Sequence, residues 1–456
     1  MAASKKDLGK APVPSLFFYF YLPTLVSMVS VSAHQLINGI ILGRQVGKEA
    51  IAAVGLYAPI LLIFISFLLA FMIGGGITFS KSSGAGDVEQ ARRVFRFSTT
   101  AVLTAGGLVA LGAPWLAEPV ARFVAGTESG PIFRFTTQYL FWNFLFLPVL
   151  FLRLLWGAFI TNDNAPSVNR NVTFYASMLN ILLDVLLVVV FPFGIAGAAV
   201  ATGLSLLAAV AYQYRHIRKS QGVLTFDHWR FTLRLPEWRR FFRLGFPSFT
   251  SELVLSAGLL LLNRSLLPYG VSALSAFGLV NYLNNIFLRF FTASMMSVQP
   301  IIGFNIGARQ PGRVREVLGF SLLFTLALGA VFYGLGFAFP QVLISLVTSN
   351  ESVGFRTEAE QAIRYGFLLY LVAGPNYILT MYMQCIGRFA LSIAISALKG
   401  LGFVGLFLLL LPEYFGLHLN GVWLSRPLAE LATLTVIGGY TLSQKMRYYS
   451  REAILR

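Results

Sequence analysis

Charge is scarce in this chain. Only 12% of its 456 residues are Asp, Glu, Lys or Arg, while 56% are hydrophobic. Soluble domains carry about a quarter charged residues, so a soluble globular protein is excluded. Cysteine is scarcer still: Cys385 stands alone, which rules out an internal disulfide framework. A phosphate loop ending in Gly-Lys-Ser/Thr is absent, so a nucleotide is not the expected energy source and no cofactor is implied. The glycine-rich IGGGIT at Ile73 lies inside an apolar run and suits close helix packing instead. Acids are few beside bases, 18 against 35, giving a net charge of +17. In a soluble protein that excess would point to nucleic acid; here its placement points to a membrane, and nucleic acid is not an expected partner.

What the chain has is long apolar runs. Eighteen or more apolar residues recur with short breaks, without the alternation of a closed barrel, so the spans are helical. Twelve are expected, at 15–43, 50–78, 94–116, 132–160, 172–191, 194–214, 242–267, 271–303, 317–340, 362–386, 390–411 and 419–443. Several exceed the usual length, which implies tilt or bending. Met1 to Lys10 is polar and the first run is long, so no cleavable signal is expected. Basic residues gather in alternate loops. Lys5, Lys6 and Lys10 begin the series, Lys81, Arg92, Arg93 and Arg96 follow, and the central loop from Arg215 to Arg243 is the densest. Both termini are therefore expected in the cytoplasm, with the chain a multi-pass protein of the cell (inner) membrane.

The chain also repeats. EAIAAVGL at Glu49 returns as SALSAFGL at Ser272, and GAGDVEQARRVF at Gly84 returns as GARQPGRVREVL at Gly307, each 223 positions later. LPTLVSM, containing Pro23, is similar to FPSFTSE at Pro247, and Gly197 corresponds to Gly421. The expected division is an amino-terminal lobe, 1–214, a linker, 215–241, and a carboxyl-terminal lobe, 242–456. Six helices separate the copies, so they share an orientation and form a parallel repeat, an architecture of secondary transporters. Energy would then come from an ion gradient or from the substrate's own.

One acid stands out. Asp184 interrupts the apolar run from Val172 to Phe191, and a carboxylate at membrane depth costs about 2.5–3.5 kcal/mol unless it serves a purpose. Asn180 lies four residues earlier on the same helix face, and Thr202 follows on the next run beyond the Pro192–Gly197 turn. A structural pairing is the plainer reading of such groups, but together they suit a site for a proton or cation. Glu252 lies in the seventh run and admits the same reading, against pairing with Arg264 or Arg289. His34, with Gln35 beside it, is able to titrate near neutral pH, though a lone His more often packs neutral. Asn281, Asn284, Met295, Met296 and Gln299 in the eighth run, with Met381 and Gln384 in the tenth, would form a polar and soft apolar wall for varied ligands. Arg153, Arg264, Arg289 and Arg426 carry the rival reading: facing a cavity, they would select anions.

These repeats, LPTLVSMVSVSAHQLINGIILGRQVGKEAIAAVGL and NILLDVLLVVVFPFGIAGAAVAT together resemble the multidrug and toxic compound extrusion (MATE) transporters over nearly the whole chain, and most nearly their DNA-damage-inducible and archaeal branch. The resemblance implies an all-α membrane protein of two pseudo-symmetric six-helix bundles, not an enzyme, exporting amphipathic, cationic organic molecules against entering protons or sodium. It places the coupling site on Tyr139, Asn180, Asp184 and Thr202, with sodium near Asp184 as one option, and a helix bend at Pro23. The family's first-helix acid falls on Asn38, which neither exchanges a proton nor adds charge. A monomer in the bilayer is expected. The alternatives are a flippase for lipid-linked or anionic substrates and, lower, a membrane enzyme acting on lipids.

Overall fold

The computed structural model describes residues 6–126, 130–219, 222–227, 250, 253–254, 256–347 and 353–443. They form helices joined by short turns. A bilayer offers the backbone no solvent partner, so each spanning segment must satisfy its own amides, as a helix does. Nine stretches among the described residues are long and apolar enough to span a membrane, and a bent pair makes a tenth. In chain order the helices are α1 (Val13–Gln45), α2 (Lys48–Gly84), α3 (Val88–Ala125), the bent α4 (Pro131–Leu145 and Leu147–Asn162), α5 (Pro166–Val190) and α6 (Gly194–Lys219). Ser256–Gly307 contains two more, split by a 3-10 turn at Leu267–Tyr269: α7 (256–266) and α8 (Gly270–Gly307). Then come α9 (Pro311–Ala338), α10 (Gly354–Cys385), α11 (Phe389–Tyr414) and α12 (His418–Ser443). The last is long enough but less apolar, because it carries Arg426 and Glu430.

Of the spans expected to be over-long, α2 holds a π turn and α4 a sharp bend, whereas α1 and α8 run as continuous helices of 33 and 38 residues. π turns occupy Ala70–Gly75 of α2, Val185–Val190 of α5, and Leu398–Gly402 and Leu410–Tyr414 of α11. The halves of α4 meet at 52° beside Phe146; Pro148, at the start of the second half, has no amide hydrogen to extend the ladder.

The repeat is written into the backbone as well as the sequence. Left-handed turns fall at Gly47 and Gly270 (φ 111° and 89°), Gly86 and Arg309 (77° and 57°), Asn164 and Gly387 (62° and 81°), and Gly194 and His418 (62° and 45°). Members of each pair lie 223 or 224 positions apart. The turns that follow α5 and α11 share three backbone hydrogen bonds at equivalent positions. Phe193 N–H donates to the Leu187 carbonyl at 3.1 Å, as Leu417 N–H does to Leu411 at 3.1 Å. A Cβ on Gly197 would meet the Leu187 oxygen at 2.6 Å, and one on Gly421 the Leu411 oxygen at 2.9 Å. Glycine is needed at both because the backbones touch.

By their contacts the residues form two units, 1–7 with 22–245, and 8–21 with 246–456. The division expected from sequence keeps all of α1 in the amino-terminal lobe; by contacts residues 8–21 group with the second unit. There Phe17 packs on Phe320 and Phe324 of α9 at ring distances of 5.3 and 4.9 Å, and Tyr21 on Phe324 at 5.1 Å. Asn305 donates to the Leu8 carbonyl at 3.1 Å, and Arg313 to that of Ala11. Pro23 sits just past the changeover, and α1 continues helical through it. The amino-terminal unit has two cores, one around Phe71, Phe95, Phe151 and Phe159 and one around Tyr57, Tyr139, Leu140 and Ile195. The second unit is built around Phe291, Phe332, Phe367 and Tyr370.

Candidate functional site

The amino-terminal unit concentrates polar groups on one face of α5. Asn169, Thr173, Ser177, Asn180 and Asp184 are spaced by four, four, three and four residues, so they share a side of the helix. Thr173, Ser177, Asn180 and Asp184 are between 0% and 3% exposed, whereas Tyr175, Met178 and Leu182 on the other side are 45–63% exposed. The apolar side faces lipid; the polar stripe faces protein.

Asp184 ends the α-helical part of α5, and the π turn begins with the next residue. A π turn leaves backbone groups out of the regular ladder and recurs at functional positions. The Asp184 side chain is fully buried, and its Oδ1 has no hydrogen-bond partner. The Asn180 amide orientation follows from its neighbours. With its nitrogen toward Asp184 it donates to Oδ2 at 3.2 Å, and its oxygen accepts the Thr202 backbone N–H at 3.3 Å. In the reverse orientation Nδ2 donates to Thr202 Oγ1 at 3.3 Å, and the amide oxygen faces only acceptors. Either way Asn180 ties α5 to α6. Tyr139, on the first half of α4, is 8% exposed, stacks edge-on against Tyr57 at 5.3 Å and lies within electrostatic reach of the Asp184 charge.

His34 joins α1 to the same stripe. Its Nδ1 lies 3.0 Å from Ser177 Oγ and 3.3 Å from the Ser30 carbonyl. Asn38, one turn on, has a buried Oδ1 with no partner, while Gln35 is exposed. At the far end of the stripe, Arg153 donates to Thr173 Oγ1 at 2.5 Å. It is 7% exposed and has no carboxylate partner among the described residues. Of the other intramembrane arginines, Arg264 is exposed, and Arg289 and Arg426 are half-buried. Four groups that the sequence ties to coupling, Tyr139, Asn180, Asp184 and Thr202, thus come together, and His34 reaches their helix. The chemistry available is that of a carboxylic acid with one oxygen open: it can take a proton, or hold a cation that Asn180 and Thr202 help to coordinate.

The other predicted residues belong to the second unit. Asn281, Met295 and Met296 are half-buried; Asn284, Gln299 and Gln384 are 3–5% exposed, and Met381 is packed away at 1%. Tyr370 donates to Asn284 Oδ1 at 2.6 Å, and Gln384 to Ser392 Oγ at 3.1 Å. Glu252 lies outside the described residues. Two ionisable side chains absent from the sequence prediction stand out here, Lys399 on α11 and Glu430 on α12, which approach to 3.6 Å. Their signal was a charge inside an apolar run, the same that marks Asp184.

The MatE family model matches residues 23–186 and 247–408, once in each repeat. The probable multidrug resistance protein YoeA of Bacillus subtilis is 24% identical over 92% of both chains. The multidrug export protein MepA of Staphylococcus aureus is 24% identical over 98% of this chain and 97% of its own. Among solved structures, a MOP-superfamily transporter from Pyrococcus furiosus superposes with a TM-score of 0.87 at 18% identity, each chain covered completely. The Vibrio cholerae MATE transporter VcmN, in its bent form, gives 0.85 at 20% identity over 95% of this chain and 98% of its own. With the family model matched once in each repeat, over more than half of its length, this chain belongs to the MatE family of multidrug efflux transporters.

Proposed function

We propose that this transporter exports amphipathic organic cations in exchange for protons or sodium ions, and that Asp184 is the group that takes the coupling ion. The observation that carries this is a fully buried carboxylate with no ion pair among the described residues and one oxygen unpartnered. A group so placed is stable when neutralised, by a proton on Oδ1 or by a sodium ion, and costly when bare. Asn180 and Thr202 position it, and Tyr139 closes the site. Neutralisation changes what α1 meets through His34 and Asn38, and so biases the inward- and outward-open states differently. Antiport follows when ion and drug prefer opposite states. Pro23 lies where α1 passes from one unit's contacts to the other's and lacks the amide hydrogen that would extend the helix ladder, so we assign to it the point at which α1 bends during transport. Glu252 is a second candidate acid. Half-buried Met295 and Asn281, with Gln35, Gln299 and Met381, are assigned to the drug path. The chain acts as a monomer in the cell membrane with both termini cytoplasmic.

The test is efflux of a fluorescent lipophilic cation from liposomes under an imposed proton or sodium gradient, with Asp184→Asn beside the wild type. Gradient-driven transport lost in the variant supports the reading. Transport surviving in the variant moves the coupling site elsewhere, Glu252 first. No cation transport by the wild type under either gradient overturns the reading in favour of anionic or lipid-linked substrates.

A further inference from the structure

The second unit holds an ionic group that the coupling site does not use. Glu430 is 6% exposed on α12. Its Oε2 and its backbone carbonyl both accept from Asn376 Nδ2 of α10, at 2.5 and 2.9 Å. Its Oε1 faces Lys399 Nζ from α11 at 3.6 Å. The same ammonium lies 4.5 Å above the ring of Tyr377, the residue after Asn376. Two helices, α10 and α12, thus place an aromatic face and an amide-held carboxylate around one positive charge from α11.

That pair is a loose ion pair with no direct hydrogen bond. An ammonium locked on a carboxylate sits about 2.7–2.9 Å away and spends its hydrogens; at 3.6 Å Lys399 makes no hydrogen bond among the described residues. Asn376, which holds Glu430 through Nδ2, has its buried Oδ1 unpartnered. Lys399 springs from the π turn Leu398–Gly402, where the helix ladder is already broken. Its side chain is 17% exposed against 8% for Glu430, so the group opens on the lysine's side. Arg426, one turn before Glu430, instead lines a small pocket with Trp423, Asn284 and Phe277 and forms no ion pair with Glu430.

We propose that Glu430, Tyr377 and Asn376 form a binding seat for the ammonium group of an amphipathic organic cation, and that Lys399 is a tethered occupant which such a ligand displaces. A carboxylate with an aromatic face is the chemistry that recognises alkylammonium ions. Asn376 Oδ1 accepts the N–H that Lys399 leaves unmade, and the released lysine regains hydration at its exposed side. Because the lysine competes from within the chain, the apparent affinity for ligand equals the intrinsic affinity reduced by the fraction of time the seat is vacant. The seat rests on this unit's geometry alone and not on coupling through Asp184.

The test is equilibrium binding of dansylcadaverine, whose alkylammonium arm imitates a lysine side chain, to the purified full chain in detergent, with its neutral N-acetyl derivative as control. Lys399→Met removes the occupant and keeps its bulk; binding tightens about tenfold or more. Adding Glu430→Gln to Lys399→Met abolishes that gain. In the otherwise native chain, Tyr377→Leu keeps both charges and weakens binding several-fold, while Tyr377→Phe does not. Unchanged or weaker binding by a well-folded Lys399→Met overturns the proposal. If that variant does not fold, equal affinities of wild type, Tyr377→Leu and Tyr377→Phe overturn it instead. The gain from Lys399→Met is read within one Asp184 background and persists in Asp184→Asn, so failure here is distinct from failure of ion-coupled export.

Discussion

Gly197 carries the sharpest mechanical prediction, because its neighbours are backbone and cannot swing aside. In Gly197→Ala the new Cβ starts 2.6 Å from the Leu187 oxygen, 3.1 Å from Phe193 Cβ and 3.2 Å from the Leu187 carbonyl carbon. Reaching ordinary contact near 3.4 Å needs α6 to withdraw from the end of α5 by ~0.8 Å. Overpacking of that kind costs about 1–3 kcal/mol, while alanine's better helix propensity returns at most ~1 kcal/mol. The net expectation is a loss of up to about 2 kcal/mol, a few degrees in melting temperature. The same withdrawal stretches the Asn180–Thr202 contact, already 3.3 Å, beyond hydrogen-bond range. Gradient-driven efflux should therefore fall more than the amount of folded protein does. Gly107→Ala is the control: nothing lies within 4 Å of its Cβ, so helix propensity alone acts and stability rises slightly. The buried thiol of Cys385 is a built-in reporter, since a thiol-reactive dye gains access only on unfolding. Gly197→Ala melting at or above Gly107→Ala would refute the close-contact argument.

Two further perturbations follow from equivalent or isolated positions. Gly194 and His418 hold the same left-handed turn, but only His418 bears the strain of a Cβ there; His418→Gly should hold or raise stability by up to ~1 kcal/mol, and Gly194→Ala should lower it by about 1–2 kcal/mol, measured by the same melts. Arg153 is buried with one hydrogen bond and no acid among the described residues, and replacing uncompensated buried charge with an apolar side chain of similar length is commonly neutral or stabilising. Arg153→Met should melt no lower than wild type; a drop of several degrees would mean that the guanidinium is held by an anion.

Much of this was legible in the sequence, for physical reasons that differ by residue. The spans showed because lipid demands long apolar runs, and the repeat showed wherever both copies used the same turn chemistry, as Gly47 and Gly270 do. It was hidden at His418, where an ordinary side chain adopts the conformation its partner gives to glycine. Asp184 announced itself as a charge in an apolar run, and the spacing to Asn180 placed both on one face. Ser177, which receives His34, followed the same spacing but passes as an ordinary small residue of a membrane helix. Lys399 and Glu430 carried the signal of Asp184, yet their relation depends on how α11 and α12 pack, which periodicity along one helix does not encode. The π turn after Asp184 has no sequence mark at all: VLLVVV reads as plain helix.

Four chain reversals at matched positions have a consequence for how such a protein diversifies. The second half is a re-reading of the first, with the same hairpins closed at the same places, so its scaffold is fixed by positions that contribute nothing to ligand chemistry. Change is then free to accumulate in the contents of each frame. One copy encloses an acid with an unpartnered oxygen, the other an acid with a lysine beside it. A single duplicated framework has in this way come to hold two unlike charge environments, without a longer chain or a new fold.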